Sequence, residues 1–268
     1  MRAASRLTGG GGSGNAEQLS PRDWAVLLMV GHLRLLTGGQ LQRLFFAGTE
    51  HGSANPRIAR RTLQRLVDAG LLHRLERRQG GLHAGSSSFT YGLTPKGGRA
   101  VRQRVGRGLA REPGLAFVRH TLAISEVVVQ LHEARRGGRL DGLELQPEPR
   151  SWRDLGGFEG VKLKPDLFVL VGTGDIEHLA FIEIDLGSEH GPTLQRKAKV
   201  YERYFRSGRE QQRLGVFPRV VWLVPDDQRR EYVERALARA RDVTHGLHRV
   251  RLLSDPVVAL TGPDEQIN

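Results

Sequence analysis

The sequence predicts an α+β protein in two parts: a basic unit of three helices with a β-hairpin, then an α/β unit on a mixed sheet. Three observations predict it. Apolar residues recur at helical spacing in the first hundred residues, and extended apolar runs alternate with helical stretches after them. Pro and Gly stand at the joints between these stretches. The positive charge is segregated: residues 21–111 hold 16 Lys or Arg against 4 Asp or Glu, and residues 112–268 hold 23 against 24. A field concentrated in this way attracts a polyanion.

Ser20-Pro21 predicts a helix start, a hydroxyl cap followed by proline at the first helical position. Asp23 to Leu36, with Trp24, Leu27, Leu28 and Leu35, forms the first helix, and Thr37 precedes a short second one through Gln40, Leu41, Leu44 and Phe45. Asn55-Pro56 opens the third and Gly70 ends it. On the third helix Ile58, Thr62, Leu63 and Leu66 share one side, and Arg57, Arg60, Arg61, Gln64 and Arg65 the other. Only Asp68 interrupts that basic side, so no ladder of helical ion pairs explains it. Leu71 to Arg77 and Ser88 to Leu93 form the hairpin around a Gly/Ser-rich turn, and Thr94-Pro95 starts a further helix. This is the order of a winged helix-turn-helix domain, whose third helix enters the major groove while the hairpin touches the flanking backbone. Arginine and glutamine reach guanine and adenine edges in bidentate fashion. Double-stranded DNA is therefore the expected partner, bound by Arg57, Arg60, Arg61, Gln64, Arg65, Arg77 and Arg78.

The second part reads as a helix over Leu115 to Ala134, then strands over Leu143 to Trp152, Leu163 to Val171 and His178 to Leu186. A helix over Thr193 to Arg206, a strand over Val220 to Val224, a helix over Asp227 to Arg241 and a strand over Arg249 to Leu253 complete it. The expected organisation is a disordered arm over 1–18, the DNA-binding domain over 19–105 and a linker over 106–114. The α/β domain follows over 115–255, with a tail over 256–268.

Charged residues inside the apolar strands carry the candidate chemistry. Asp166 heads one strand, and Glu183 and Asp185, two apart, project from one face of the next. If those strands pair as a hairpin across Gly172 to Glu177, three carboxylates converge, and an all-oxygen cluster suits Mg2+ or Mn2+. Lys197 and Tyr201, four apart, share a face of the following helix. A lysine there neutralises charge at a phosphorus transition state or orients a nucleophile, and a bound metal lowers the pKa of an attacking water. His120 reads as a structural hydrogen-bonder and His190 as a loop residue. The absence of cysteine excludes disulfides and thiolate metal sites. There is no zinc spacing and no P-loop, and Gly172-Thr173-Gly174 is too short for a dinucleotide fingerprint. No apolar run nears the roughly 18 residues of a membrane span. Residues 1–18 lack the apolar stretch of a secretory signal. A cytoplasmic location and no membrane partner are expected.

Pro165-Asp166, Glu183-x-Asp185, Leu194-x-x-Lys197 and Tyr201, behind a basic helix-turn-helix unit, resemble the bacterial replication-relaxation family. The resemblance covers roughly Leu19 to Leu253. It implies a role in plasmid replication and DNA relaxation and a C-terminal domain similar to the PD-(D/E)xK nucleases. Asp166 and Glu183 match that motif's metal-binding acids, and Glu126 the acid of its first helix. Asp185 stands where the motif has lysine, which leaves Lys197 as a relocated lysine. Asp166, Glu183, Asp185, Lys197 and Tyr201 are thus the candidate catalytic residues. One reading is a metal-dependent DNA nickase or nuclease. The other is a non-catalytic replication accessory or transcription regulator whose nuclease-like domain serves assembly. A relaxase-like transfer through Tyr201 is a third, without the histidine cluster relaxases use. A homodimer and other replication or conjugation proteins are candidate partners.

Overall fold

In a computed structural model the fold is described for residues 19–47, 56–75, 89–106, 114, 117–156, 160–240, 244 and 246–263. The expected arm over 1–18, Arg77, Arg78 and most of the expected linker lie outside the described residues.

Helix α1 spans Pro21–Leu33. Ser20 caps it reciprocally: its hydroxyl accepts from the Asp23 amide at 3.2 Å and its own amide donates to the Asp23 carboxylate at 2.9 Å. The helix ends before the Leu36 expected from periodicity, because Leu36–Thr37 pairs as strand β1 with Tyr91 and Thr90. Thr37 then caps α2, Gly38–Phe45, with Gln40 completing a second reciprocal cap. Helix α3, Pro56–Asp68, leads into β2, Leu72–Leu75, and β3, Thr90–Leu93. These strands form an antiparallel sheet of order β1-β3-β2. Thr94 caps α4, Pro95–Val105. Two consecutive glycines in that helix have low propensity, but a Cβ on Gly97 would lie 2.1 Å from the Leu71 carbonyl oxygen. Glycine at 97 lets α4 rest directly on the start of β2.

Helix α5, Val118–Arg136, opens the second part. Strand β4, Gly142–Pro147, stops short of the expected Trp152; the chain turns at Pro147 and Pro149. The short strands β5, Arg153–Asp154, and β6, Lys162–Leu163, pair with each other. Strands β7, Leu167–Thr173, and β8, Ile176–Ile184, form a hairpin across Gly174-Asp175. Helices α6, Gly191–Arg206, and α7, Arg209–Leu214, precede β9, Arg219–Val224. Helix α8, Asp227–Ala238, strand β10, His248–Leu252, and helix α9, Pro256–Thr261, follow. The sheet is mixed, in the order β10-β9-β8-β7-β4, with β8, β9 and β10 parallel and β4, β7 and β8 antiparallel. The expectation of a tail from 256 is corrected. Asp255 caps α9 through the amides of Val257 and Val258, and Val257, Ala259 and Leu260 enter the core.

One core runs from α1, α3 and β3 through α5 to one face of the sheet; a second lies on the other face beneath α6 and α8. Phe181 anchors the second, with the rings of Phe168, Tyr201, Tyr204 and Phe217 at 5.5–6.5 Å. The two parts of the chain meet along α2 and α5. Ser125 donates to the Leu35 carbonyl at 2.7 Å, and Arg43 donates to Glu126 at 2.6 Å and Glu133 at 2.9 Å. Arg136 closes the C-terminus of α2 by donating to the Arg43 carbonyl at 2.9 Å. Arg43→Ala is expected to lower stability by about 1–2 kcal/mol, its two partly exposed ion pairs with Glu126 and Glu133 being lost. Urea unfolding measures it, and an unchanged midpoint would show that the Arg43 ion pairs add nothing to the joint between the parts.

Candidate functional site

Two constellations stand apart from the core. The first is the outer side of α3. Ala59, Leu63 and Leu66 are buried against the core, which leaves Arg57, Arg60, Arg61, Gln64 and Arg65 on the exposed side. The expected apolar side is corrected at one position: Ile58 is 45% exposed, and Ala59 takes the buried place. Three members are engaged within the protein, Arg60 by donating to the Pro56 carbonyl of its own helix at 3.2 Å. Arg65 pairs with the buried Asp23 of α1 at 2.5 Å, and Gln64 donates to Asp68 at 2.7 Å. Gln64 also accepts from Arg74 of β2, whose guanidinium lies 4.5 Å from the Phe89 ring centroid. The edge of the small sheet is thereby tied to the helix. Arg57 and Arg61 point outward, one turn apart.

The second constellation gathers around the end of β8. The β7–β8 register sets Leu167 opposite Ile182, and the Asp166 amide donates to the Ile182 carbonyl at 3.1 Å. One Asp166 oxygen accepts from the Ile184 amide at 2.8 Å, and the other is 3.0 Å from Nε2 of His120 on α5. Glu183, 2% exposed, accepts from Tyr201 at 2.6 Å and from Lys197 at 2.8 Å. Lys197 bridges onward to Glu189 at 2.6 Å. Asp185, equally buried, is held apart: it accepts from the Gly187 amide and, at 2.9 and 2.6 Å, from Arg229 of α8.

Electrostatics follow from this arrangement. Burial pushes the Glu183 carboxyl up to about 7, with Lys197 opposing and the nearby Asp166 charge adding to the rise. Burial and the Glu183 charge hold the Tyr201 phenol well above its ordinary value. Burial disfavours the Lys197 ammonium, but Glu183, Asp166 and Glu189 outweigh it and raise its pKa. His120 is likewise raised, because the Asp166 hydrogen bond and charge exceed its burial. A fully buried phenol bonded to a carboxylate is a poor nucleophile, which removes the support for group transfer through Tyr201.

The sequence-selected residues are thus partly united. Asp166, Glu183, Lys197 and Tyr201 belong to one cluster, whereas Asp185 has Arg229 as its own partner. Glu126, expected as a further metal-binding acid, faces α2 and accepts from Arg43 and Gln40. Glu189 and Arg229 were missed, and His120 was read only as a structural hydrogen-bonder. A divalent ion does not fit the acids as they are arranged. Both Glu183 oxygens accept from protein donors, and Lys197 already supplies the balancing positive charge. Among the described residues no group of three His, Asp or Glu side chains is placed to hold a metal ion.

The fold and site define a mixed α+β protein with an exposed arginine helix and a neutralised acid cluster at the end of a sheet hairpin. It belongs to the replication-relaxation family, whose model matches residues 27–220. No curated protein and no solved structure matched the chain. Among the described residues no helix is long and apolar enough to cross a membrane.

Proposed function

We propose that the protein binds double-stranded DNA through α3, in plasmid or mobile-element replication or relaxation, without cutting it. The exposed Arg57 and Arg61 on a helix anchored by Ala59, Leu63 and Leu66 carry this reading. The order α1-β1-α2-α3-β2-β3 supports a winged helix-turn-helix unit, in which α3 is the groove-entering helix. The order α5-β4-β7-β8-α6-β9 supports a PD-(D/E)xK-like second domain. Its acids are satisfied by Lys197, Tyr201, His120 and Arg229, which favours assembly over hydrolysis. One observation favours the competing reading, a nickase using Mg2+ or Mn2+: Asp166, Glu183 and Lys197, the residue types of the nuclease motif, share one cluster.

One experiment separates them. Duplex affinity is expected to fall with salt by about 0.9 log units per log unit for each phosphate contacted. Supercoiled plasmid is expected to stay supercoiled with either metal. Nicking that Asp166→Ala and Glu183→Gln abolish would establish the nickase instead, and affinity indifferent to salt would remove the DNA reading.

A further inference from the structure

Helix α6 turns Leu194, Ala198 and Tyr201 onto the sheet and fills its opposite side with cations. Arg196, Lys199, Arg203 and Arg206 are all exposed, at the spacing i, i+3, i+7, i+10. At about 100° per residue they share an arc of about 80°, and at about 1.5 Å per residue they form a row about 15 Å long. An exposed helix is ordinarily steadied by acids three or four residues from its bases. The one acid of α6, Glu202, is buried, accepting from the Thr244 amide and hydroxyl at 2.9 Å and from Arg206 at 2.7 Å. Arg203 and Arg206 have contacts of their own within the protein, so the weight falls on Arg196 and Lys199. Strand β6 and helix α7, both packed on α6, add the exposed Lys162 and Arg209. Residues 112–268 hold 23 basic against 24 acidic residues, so this concentration is local and does not show in the overall balance.

A line of phosphates matches such a row. Duplex DNA carries a phosphate every ~3.4 Å along each strand, so the row spans about four of them. Unpaired bases need exposed aromatic platforms. Here Tyr201 and Tyr204 are buried, and Phe205 packs edge-on against Phe217 at 5.2 Å. The row also faces away from the part of the chain that carries α3, because that part packs on α5, across the sheet from α6.

We infer that α6 is a second duplex-binding surface, which grips the phosphate backbone of a DNA segment other than the one on α3. It reads no sequence, since phosphate contacts carry none. The chain thereby holds two duplex segments at once. This rests on the reading of α3 only for where the first segment sits.

The test uses the full chain, held on beads by a duplex that it selects from a random pool. After washing, a fluorescent duplex of unrelated sequence is added. The wild type is expected to capture it. Arg196→Glu with Lys199→Glu is expected to lose the capture while binding the selected duplex as the wild type does. Arg196→Gln with Lys199→Gln removes the charges without reversing them. It is expected to lower the slope of capture against salt by about 1.8, that is 0.9 for each phosphate contact. Both double variants change exposed positions and are expected to keep the wild-type urea midpoint. The inference is overturned if the wild type captures no second duplex, as a row built for an acidic protein would not. It is overturned too if both variants capture as the wild type does, for then another surface, such as the α3 of a second copy, bridges the duplexes. Failure of the parent reading looks different: Arg57→Ala with Arg61→Ala binds the selected duplex as the wild type does, and the α6 variants lose it.

Discussion

Replacing Arg57 and Arg61 together by alanine is expected to weaken binding to the preferred duplex by about 10²–10³-fold, because each bidentate base contact is worth about 1–3 kcal/mol. Both residues lie on the exposed side of α3, and alanine is the better helix former, so the urea midpoint is expected to stay put. The salt dependence tells what was lost. If the guanidinium groups met bases, the slope of affinity against salt is retained; if they met phosphates, it falls by about 0.9 per contact. Arg65→Ala is the internal control. It strands the buried Asp23, so it is expected to lower stability more than it lowers affinity per folded molecule. Gel-shift titrations at several salt concentrations, beside urea unfolding, measure all of this. A double variant that binds within twofold of the wild type would remove α3 as the DNA-contacting helix.

The element order was legible because its signals are local. Ser20-Pro21, Thr37 and Thr94-Pro95 mark helix starts in the sequence, and the hydroxyls of Ser20, Thr37 and Thr94 cap helices in the fold. What the sequence hid was set by distant partners. Leu36 continues an apolar helical pattern, yet it pairs with Tyr91 more than fifty residues later. Ile58 is apolar at a helical spacing that Ala59 satisfies equally well, and the smaller residue is the one that enters the core. The short apolar run after Pro256 gave too few turns for periodicity to distinguish a helix from a tail, and Asp255 decides it by capping.

The candidate site was half legible for the same reason. Spacing alone joins Lys197 to Tyr201 and aligns Glu183 with Asp185, since both rules are properties of one helix or one strand. It cannot say which carboxylate a cation from another element will claim. Arg229 on α8 takes Asp185, and Glu189, in the turn before α6, approaches Lys197 in its stead. The partner of Glu126 was out of reach too, because Arg43 lies eighty-three residues earlier. Three acids near one hairpin end therefore read as a metal cluster in sequence and resolve into separate ion pairs in the fold.

The acid cluster gives the largest expected effect on stability. Glu183→Ala leaves the Tyr201 hydroxyl without an acceptor and Lys197 without its buried counter-charge, and is expected to cost about 3–5 kcal/mol. Its pH dependence has a definite sign. The Glu183 carboxyl titrates near its ordinary value of 4.5 in the unfolded chain and at about 7 in the native one. Between these values the native state holds the extra proton, so the contribution of Glu183 is fully present below pH 4.5 and is lost as pH rises to 7. The loss is of order 3 kcal/mol. His120, raised from 6.5 by Asp166, acts in the same direction: its contribution is present below 6.5 and is lost as pH rises through its native value. The half-buried His32, His132 and His248 have lowered values and act oppositely below pH 6.5, so the useful quantity is a difference between proteins. Glu183→Gln mimics the protonated acid and removes its titration. The stability of wild type minus Glu183→Gln is therefore expected to decline from pH 5 to pH 7.5 and then level off, as chemical unfolding at each pH would measure. A flat difference would mean that Lys197 keeps Glu183 ionised throughout. The cluster would then be a permanent buried ion pair, with no proton to gain near neutral pH.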